Sequence, residues 1–452
     1  MDPRGIAFHF ARWACGLRSA DIPAPVQATA RRAMLDTLAV TVAGGAHGDI
    51  RKLAAGWPLG TGVCSLVTGG TSTAETAALI NGSAAHVWDF DDTSYTGIMH
   101  GSAVVFPAVA AMAQELGSSD EDVRTAFIIG SEIAYVLADI CTHQHYFEGW
   151  WSTSTFGLIG ATAATAFLQG CDEDETAQAI GLAASAAGGA KSVFGTCAKP
   201  FLCGETAQRA ITFARFAKSG LSAPTNSFHG ATGFLKLLNN GVEQISEIET
   251  LGQRWRLVDP GLLVKRYPVC SAAQAAIDLI AELTFEAGIK PEDINAIRFE
   301  IPELVRISLV HDNPQTPSEA QFSLPFAAAC AVRYGAVRLA DLTAETLNSA
   351  LHQSVVQKIQ ISVADDLSAE DMRARFPESA RAIIILQDGS RRSGFCGEAY
   401  GMPHRKLTDV DFSAKFRNCL KFAEIHGQAF DLDQDNILQL AGNLFAINGE
   451  GK

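Results

Sequence analysis

The spacing of apolar residues changes twice along the chain. From Pro25 to Ala43, the residues Val26, Ala30, Ala33, Met34, Thr37, Leu38 and Val42 fall on one stripe with the period of a helix. Pro25 near its start and Gly44 just past its end suit the boundaries of such a helix. Ser72 and Glu75 have the spacing of a capping box for a second helix running to Trp88. Segments 102–116, 120–141, 153–169, 174–187 and 203–219 predict further helices. Several of these are apolar nearly all round, the mark of helices buried inside a large bundle. Their Ala, Gly, Ser and Thr residues permit close approach.

Near residue 262 the texture shifts. Residues 270–287 still read as a helix, but 296–301 alternates with β-branched residues and predicts a strand, as does 356–363. Residues 380–396 are the clearest hairpin, with Asp388-Gly389 as the turn that takes positive φ at little cost. Helices are expected at 323–333 and 343–351, so residues 265–400 or so form an α+β unit. After Gly401-Met402-Pro403 the helical texture returns. Thr408 and Asp411 cap a helix carrying Phe412, Phe416, Leu420 and Phe422.

A chain of 452 residues points to two domains rather than one core. Hydrophobic residues at 48% and charged residues at 19% are a globular composition. The net charge of −14 argues against nucleic acid or an anionic membrane as the main partner. The ten Cys are scattered and form no CxxC pair, which predicts buried thiols in a reducing compartment. The N-terminus has charges through its apolar part and no clean cleavage site, so a cytoplasmic location is expected. The uncharged stretch 149–171 is heavily diluted by Ser, Thr and Gly and is expected to be a buried helix, not a membrane span.

No GxGxxG follows a strand, and no Walker loop, GxSxG or HExxH is present. His143 and His145 are the only close pair of imidazoles, at a spacing that does not share a helix face. A dinucleotide-dependent enzyme, an ATPase, a serine hydrolase and a zincin all lose ground, and no metal site is expected. The densest polar run is 81–102. There Asp89, Asp91 and Asp92 end an apolar helix, and His100 follows after a loop containing Gly97. Carboxylates at a helix C-terminus oppose the macrodipole and need other partners. The run reads either as an acidic loop or as a carboxylate orienting an imidazole for acid/base work.

The run NGSAAHVWDFDDT followed by HGSAVVFPAVAAMA resembles the signature of the 2-methylcitrate dehydratase (MmgE/PrpD) family. GWWSTSTFGLIGATAAT, GTCAKPFLCGETAQRA, LLVKRYPVCSAAQAA, SEAQFSLPFAAACAV and KFRNCLKF continue the resemblance in order along most of the chain. That family includes 2-methylcitrate dehydratase, cis-aconitate decarboxylase and iminodisuccinate epimerase. The resemblance implies a mainly α fold: a large helical domain from residues 1–265 with 402–452 returning to it, plus a smaller α+β lid of 266–401. It also implies a homodimer without cofactor acting on a small carboxylate. By position it assigns catalytic roles to Asp89, His100, Lys199 and Lys265, and substrate contact to Thr93. Two lysines suit carboxylate binding and stabilisation of the charge that develops when a neighbouring proton leaves.

The departures from the pattern also matter. Trp151-Ser152 stands where members commonly have His-Pro, Leu202 and Gln274 where they have His, and Phe326 where some have Tyr. A more apolar pocket is expected, with Trp151, Gln274 and a bidentate Arg266 touching substrate, and with Tyr146, His143 or His145 replacing lost groups. The expected activity is a lyase of dehydratase or decarboxylase type, with His100 held by Asp89 as acid/base. The alternatives are an epimerase, with Tyr146 or a lysine facing His100 across the reacting carbon, and a non-catalytic carboxylate-binding relative.

Overall fold

The computed structural model describes residues 2, 4–427 and 430–450. It is mainly helical, with one four-stranded sheet and two short two-stranded ladders among the described residues. The apolar stripe at 25–43 is part of the helix Ala24–Gly45, whose Val26, Ala30, Ala33, Met34 and Leu38 are buried. The helix over the next apolar stretch is Ala74–His86, and its N-cap is Thr73, which accepts from the Thr76 N–H at 3.3 Å. Ser72 is not the cap, because it pairs as a short strand with Cys64. Helices Gly101–Leu116, Asp120–Cys141, Ser152–Leu168 and Glu173–Ala186 fall within two residues of the positions predicted. Ala198–Lys218 begins five residues earlier than its apolar stripe and so takes Lys199 into its first turn.

These helices pack on small residues. A Cβ placed on Gly160 would meet the Gly130 carbonyl oxygen at 2.1 Å, and one on Gly204 would meet the Leu79 carbonyl oxygen at 2.0 Å. The backbones at both crossings are therefore in direct contact. The uncharged stretch 149–171 forms the buried 152–168 helix, and no helix of the described residues is long and apolar enough to cross a membrane.

The sheet follows the order Ile359–Val363, Ile294–Ile301, Ala380–Leu386, Arg391–Cys396. The first pair is parallel and the others antiparallel. Ile297, Phe299 and Ile301 are buried on one face while Arg298 stays exposed, as the alternation requires. The turn at Asp388-Gly389 places Gly389 at φ 82°. The helix Ser271–Ile280 ends in a π-helical turn, Ala281–Phe285, and the segment read as one helix at 343–351 splits into Ala344–Asn348 and Ala350–Val356.

The helix Asp409–Phe422, which follows the α+β portion and precedes a last helix Ile437–Glu450, carries the Thr408/Asp411 capping box and packs on the 24–45 helix. Arg32 pairs with Asp409 at 2.7 Å and Lys415 with Asp36 at 2.7 Å. A two-residue ladder, Thr93↔Leu263 and Ser94↔Leu262, ties the loop after the 74–86 helix to the segment entering the α+β portion.

Candidate active site

The 74–86 helix stops at His86, and the chain turns sharply. Asp89 has φ 48°, a left-handed conformation that Asp tolerates better than bulkier residues. This turn separates the side chains of Asp89 and Asp91. The Ser94–Met99 bridge then closes a tight loop and returns His100 to the same place. The ladder 93–94/262–263 brings in Lys265, and the first turn of the 198–218 helix supplies Lys199. Two separate crossings thus bring two ammonium groups onto one carboxylate. The Asp89 Oδ1 atom lies 3.0 Å from Lys199 Nζ and 3.2 Å from Lys265 Nζ, and Lys265 also donates to the Asp89 carbonyl at 2.6 Å.

All these groups except His100 are almost wholly buried. Burial alone would raise the Asp89 carboxyl, but the two lysines outweigh it and hold Asp89 well below the usual carboxylate range. Burial likewise disfavours the Lys265 ammonium, and Asp89 with Asp91 more than offsets it. Burial pushes the His100 imidazole down to about 4; Asp91 opposes that shift, while Lys265, His86 and Lys199 add to it. His100 is therefore neutral at pH 7. Its Nδ1 lies 3.1 Å from the Asp92 carbonyl, 3.0 Å from Asp91 Oδ2 and 3.4 Å from Thr93 Oγ1. A carbonyl only accepts, so Nδ1 carries the proton and Nε2 keeps a free lone pair. The carboxylate beside His100 Nδ1 is Asp91, not the Asp89 expected from the sequence. Asp89 stands 3.7 Å from Nε2 and belongs to the lysines.

Two further groups complete the cluster. His86, not singled out from the sequence, places Nδ1 2.9 Å from Asp91 Oδ1 and Nε2 2.6 Å from Lys199 Nζ. Asp92 accepts from Ser102 at 2.7 Å, and burial with Asp36 nearby pushes its carboxyl well above its ordinary value. Two carboxylates, Asp89 and Asp91, face two ammonium groups. The closed cluster is electrically balanced.

The remaining predicted residues fall into two groups. Thr93 touches the cluster through His100. Trp151 is buried as its wall, stacked on His86 at 5.5 Å, with Lys199 Nζ 5.4 Å from its ring. The others lie elsewhere. The Tyr146 hydroxyl bonds Ser308 at 3.2 Å, and its ring lies under Lys191 Nζ at 3.8 Å. Gln274 spends its amide on backbone, accepting from the Arg266 and Tyr267 N–H groups and donating to the Tyr267 and Val269 carbonyls. It braces the 266–269 segment and has no hydrogen-bonding capacity directed into the cluster. Arg266 is half exposed, 3.5 Å from Asp278, and lines a different cavity of about 570 Å³ with Tyr267 and Phe90. His145 is bonded to the Leu238 carbonyl and Thr155, His143 to the Tyr95 carbonyl, and Phe326 packs on His352.

A group from the α+β portion that no motif pointed to is Glu378. It is buried, its carboxyl is raised by burial, and it accepts from Tyr95 at 2.8 Å and Ser271 at 2.7 Å. Above Lys199, Phe194 and Phe322 stack at 5.2 Å, each within 5.2 Å of the ammonium. Gln321 donates to the Val87 carbonyl at 3.0 Å. The space left beside His86 and Lys199 is about 10 Å³, at most one water.

His86, Asp89, Asp91 and His100 place one ligand-type atom each within 4.8 Å of one another, a donor set of the kind that binds divalent cations. Lys199 and Lys265 put two positive charges on the same donors. That arrangement repels a cation and suits an anion.

The sequence matches the MmgE/PrpD N-terminal domain over residues 9–245 and the MmgE/PrpD C-terminal domain over 267–434. It is 24% identical over 351 residues to cis-aconitate decarboxylase of Homo sapiens, covering 75% of this chain and 71% of that one. It is 25% identical over 474 aligned positions to a cis-aconitate decarboxylase-like protein of Aspergillus oryzae, covering 97% and 95%. A cis-aconitate decarboxylase of Aspergillus terreus is 24% identical over 310 residues, covering 64% and 62%. With both domain matches in order and together spanning most of its length, this chain belongs to the MmgE/PrpD family.

Proposed function

We propose that the protein is a cofactor-independent lyase, of decarboxylase or dehydratase type, acting on a small di- or tricarboxylate. The observation that carries this reading is the pair of buried ammonium groups, Lys199 and Lys265, converging on Asp89 beside a neutral imidazole with a free Nε2. The relatives named as cis-aconitate decarboxylases support the same substrate class.

A bound substrate carboxylate competes with Asp89 for the two ammonium groups. They then stabilise the charge that develops next to that carboxylate when a proton or CO₂ departs, in a site from which water is largely excluded. For a dehydration, His100 Nε2 takes the proton from the reacting carbon and the imidazolium returns it to the leaving hydroxide as water; for a decarboxylation, a proton taken up from solvent as the anionic substrate binds forms the imidazolium, which gives that proton to the carbon as the bond to CO₂ breaks. The space beside His86 and Lys199 has no room for such a molecule, so binding on that side requires its lining at 318–322 to withdraw. Of the groups expected opposite His100 in an epimerase, Tyr146 is bonded to Ser308 instead, and the two lysines of the cluster are both engaged on Asp89.

The test is incubation of the purified protein with cis-aconitate, 2-methylcitrate and citrate, with products followed by NMR. Turnover of one of them is expected. His100→Ala is expected to lower kcat by about 10²- to 10⁴-fold, the usual contribution of general acid/base catalysis. Full activity in that variant would remove His100 from the mechanism, and inertness toward all three acids would remove the substrate class.

A further inference from the structure

His86 has partners that leave its chemistry little choice. Its ring is fully buried, with Nδ1 2.9 Å from a carboxylate oxygen of Asp91 and Nε2 2.6 Å from the Lys199 ammonium. A carboxylate only accepts hydrogen bonds and an ammonium only donates them. The one state that satisfies both contacts is neutral imidazole with the proton on Nδ1. Burial acts in the same direction, holding His86 below its ordinary pKa; Asp91 opposes this and Lys199 reinforces it. Trp151 stacks on the ring, so the imidazole cannot swing away without breaking that contact.

The consequence falls on Lys199. An ammonium carries three N–H bonds in a tetrahedral arrangement. One points to His86 Nε2 at 2.6 Å and a second to Asp89 Oδ1 at 3.0 Å. Fixing two directions fixes the third. We infer that His86 is a positioning residue, a neutral acceptor that holds Lys199 so that its one remaining N–H is aimed at the substrate carboxylate. This rests on the reading of Lys199 as a carboxylate-binding group. Asp91 joins this device to the acid/base, because its Oδ1 meets His86 and its Oδ2 lies 3.0 Å from His100 Nδ1. Lys199, His86, Asp91 and His100 form one continuous chain, so anchor and base are set by a common carboxylate.

Two measurements test this, and the first needs no substrate. In protein labelled with ¹⁵N-histidine, the His86 signal is identified by its loss in His86→Gln. Neutral imidazole protonated at Nδ1 is expected at pH 7. An Nε2–H tautomer or an imidazolium overturns the proposal.

The second measurement separates the two contacts by kinetics. His86→Asn retains an amide N–H near the Nδ1 position, keeping the bond to Asp91 while losing the acceptor for Lys199. His86→Gln places an amide oxygen near the Nε2 position and keeps that acceptor. For whichever of the three acids is turned over, KM in His86→Asn is expected to rise about 10- to 100-fold, the range for loss of a hydrogen bond to a charged group. His86→Gln is expected to recover most of that rise. Equal KM values in wild type and His86→Asn, or equal damage in both variants, overturn the positioning role. The expected tautomer without any turnover would support the positioning geometry and leave the lyase reading as the one that failed. If His86→Asn does not fold, the tautomer measurement and His86→Gln still decide the matter.

Discussion

Lys265 and Arg266 are neighbours in sequence and end up with opposite fates. Lys265 is fully buried on Asp89, while Arg266 stands half exposed over Tyr400. Successive side chains of an extended segment point to opposite sides, so only one of two adjacent cations can face a given cleft. The family resemblance pointed to Lys199, Lys265 and His100, but not to which carboxylate each would meet. That pairing depends on the left-handed turn at Asp89, which no spacing rule supplies. His86 was hidden for a related reason. It sits in an Ala-rich helix and reads as a core residue until the turn brings Asp91 back over it. The charge balance of the cluster carries a pH prediction. The free protein holds His100 at about 4, so the acid limb of kcat/KM is expected near pH 4, below the ordinary imidazole value of about 6.5. For a dehydration, protonation below that limb removes the base, so activity falls as the pH drops. A bound substrate adds negative charge to a balanced cluster and favours the imidazolium, so the limb of kcat is expected to lie above that of kcat/KM. A pH–rate series over pH 3.5–8 checks both. An acid limb of kcat/KM at 6.5 would mean that His100 is not held as the structure shows.

At the scale of elements, helix positions were legible because burial imposes periodicity, and the ends were less so because caps depend on local competition. Ser72 looked like a cap, but its pairing with Cys64 left that role to Thr73. The small residues carried more information than a count of them conveys. Gly82 and Gly204 mark where the 74–86 and 198–218 helices touch, and those helices deliver His86 and Lys199. A Cβ on Gly204 would lie 2.0 Å from the Leu79 carbonyl oxygen and 2.4 Å from Ser83 Oγ. The helices must then part, because the nearest atom is backbone. Gly204→Ala is expected to destabilise the protein by about 1–3 kcal/mol or more, despite its gain in helix propensity. Turnover is expected to fall beyond what the unfolded fraction explains, since His86 and Lys199 would separate. Urea titration together with specific activity under native conditions measures both, and an unchanged melting curve would show that the crossing is looser than described.

At the scale of the whole molecule, the net charge of −14 argues against polyanions but not against a small anion, because the few buried cations act where solvent screening is weak. The 409–422 helix is part of that arrangement. Lys415 comes from the end of the chain, yet its buried ammonium pairs with Asp36 at 2.7 Å and donates to the Phe90 carbonyl at 2.9 Å, between Asp89 and Asp91. The helix that returns after the α+β portion therefore braces the turn on which the candidate site depends. Removing one partner of a buried pair leaves an uncompensated charge, so Lys415→Met is expected to cost about 3–5 kcal/mol in stability. Burial already raises Asp36, and losing Lys415 raises it further. The penalty is thus expected to shrink as the pH falls and Asp36 takes up a proton. The double variant Asp36→Leu with Lys415→Met removes both charges and is expected to recover most of the stability. It cannot restore the bond to Phe90, so turnover is expected to stay low. Denaturant titrations at pH 5 and pH 8, with activity measured on the same samples, separate the two effects. If the double variant regains wild-type turnover, the Lys415–Phe90 contact does not support the site, and the 409–422 helix contributes stability alone.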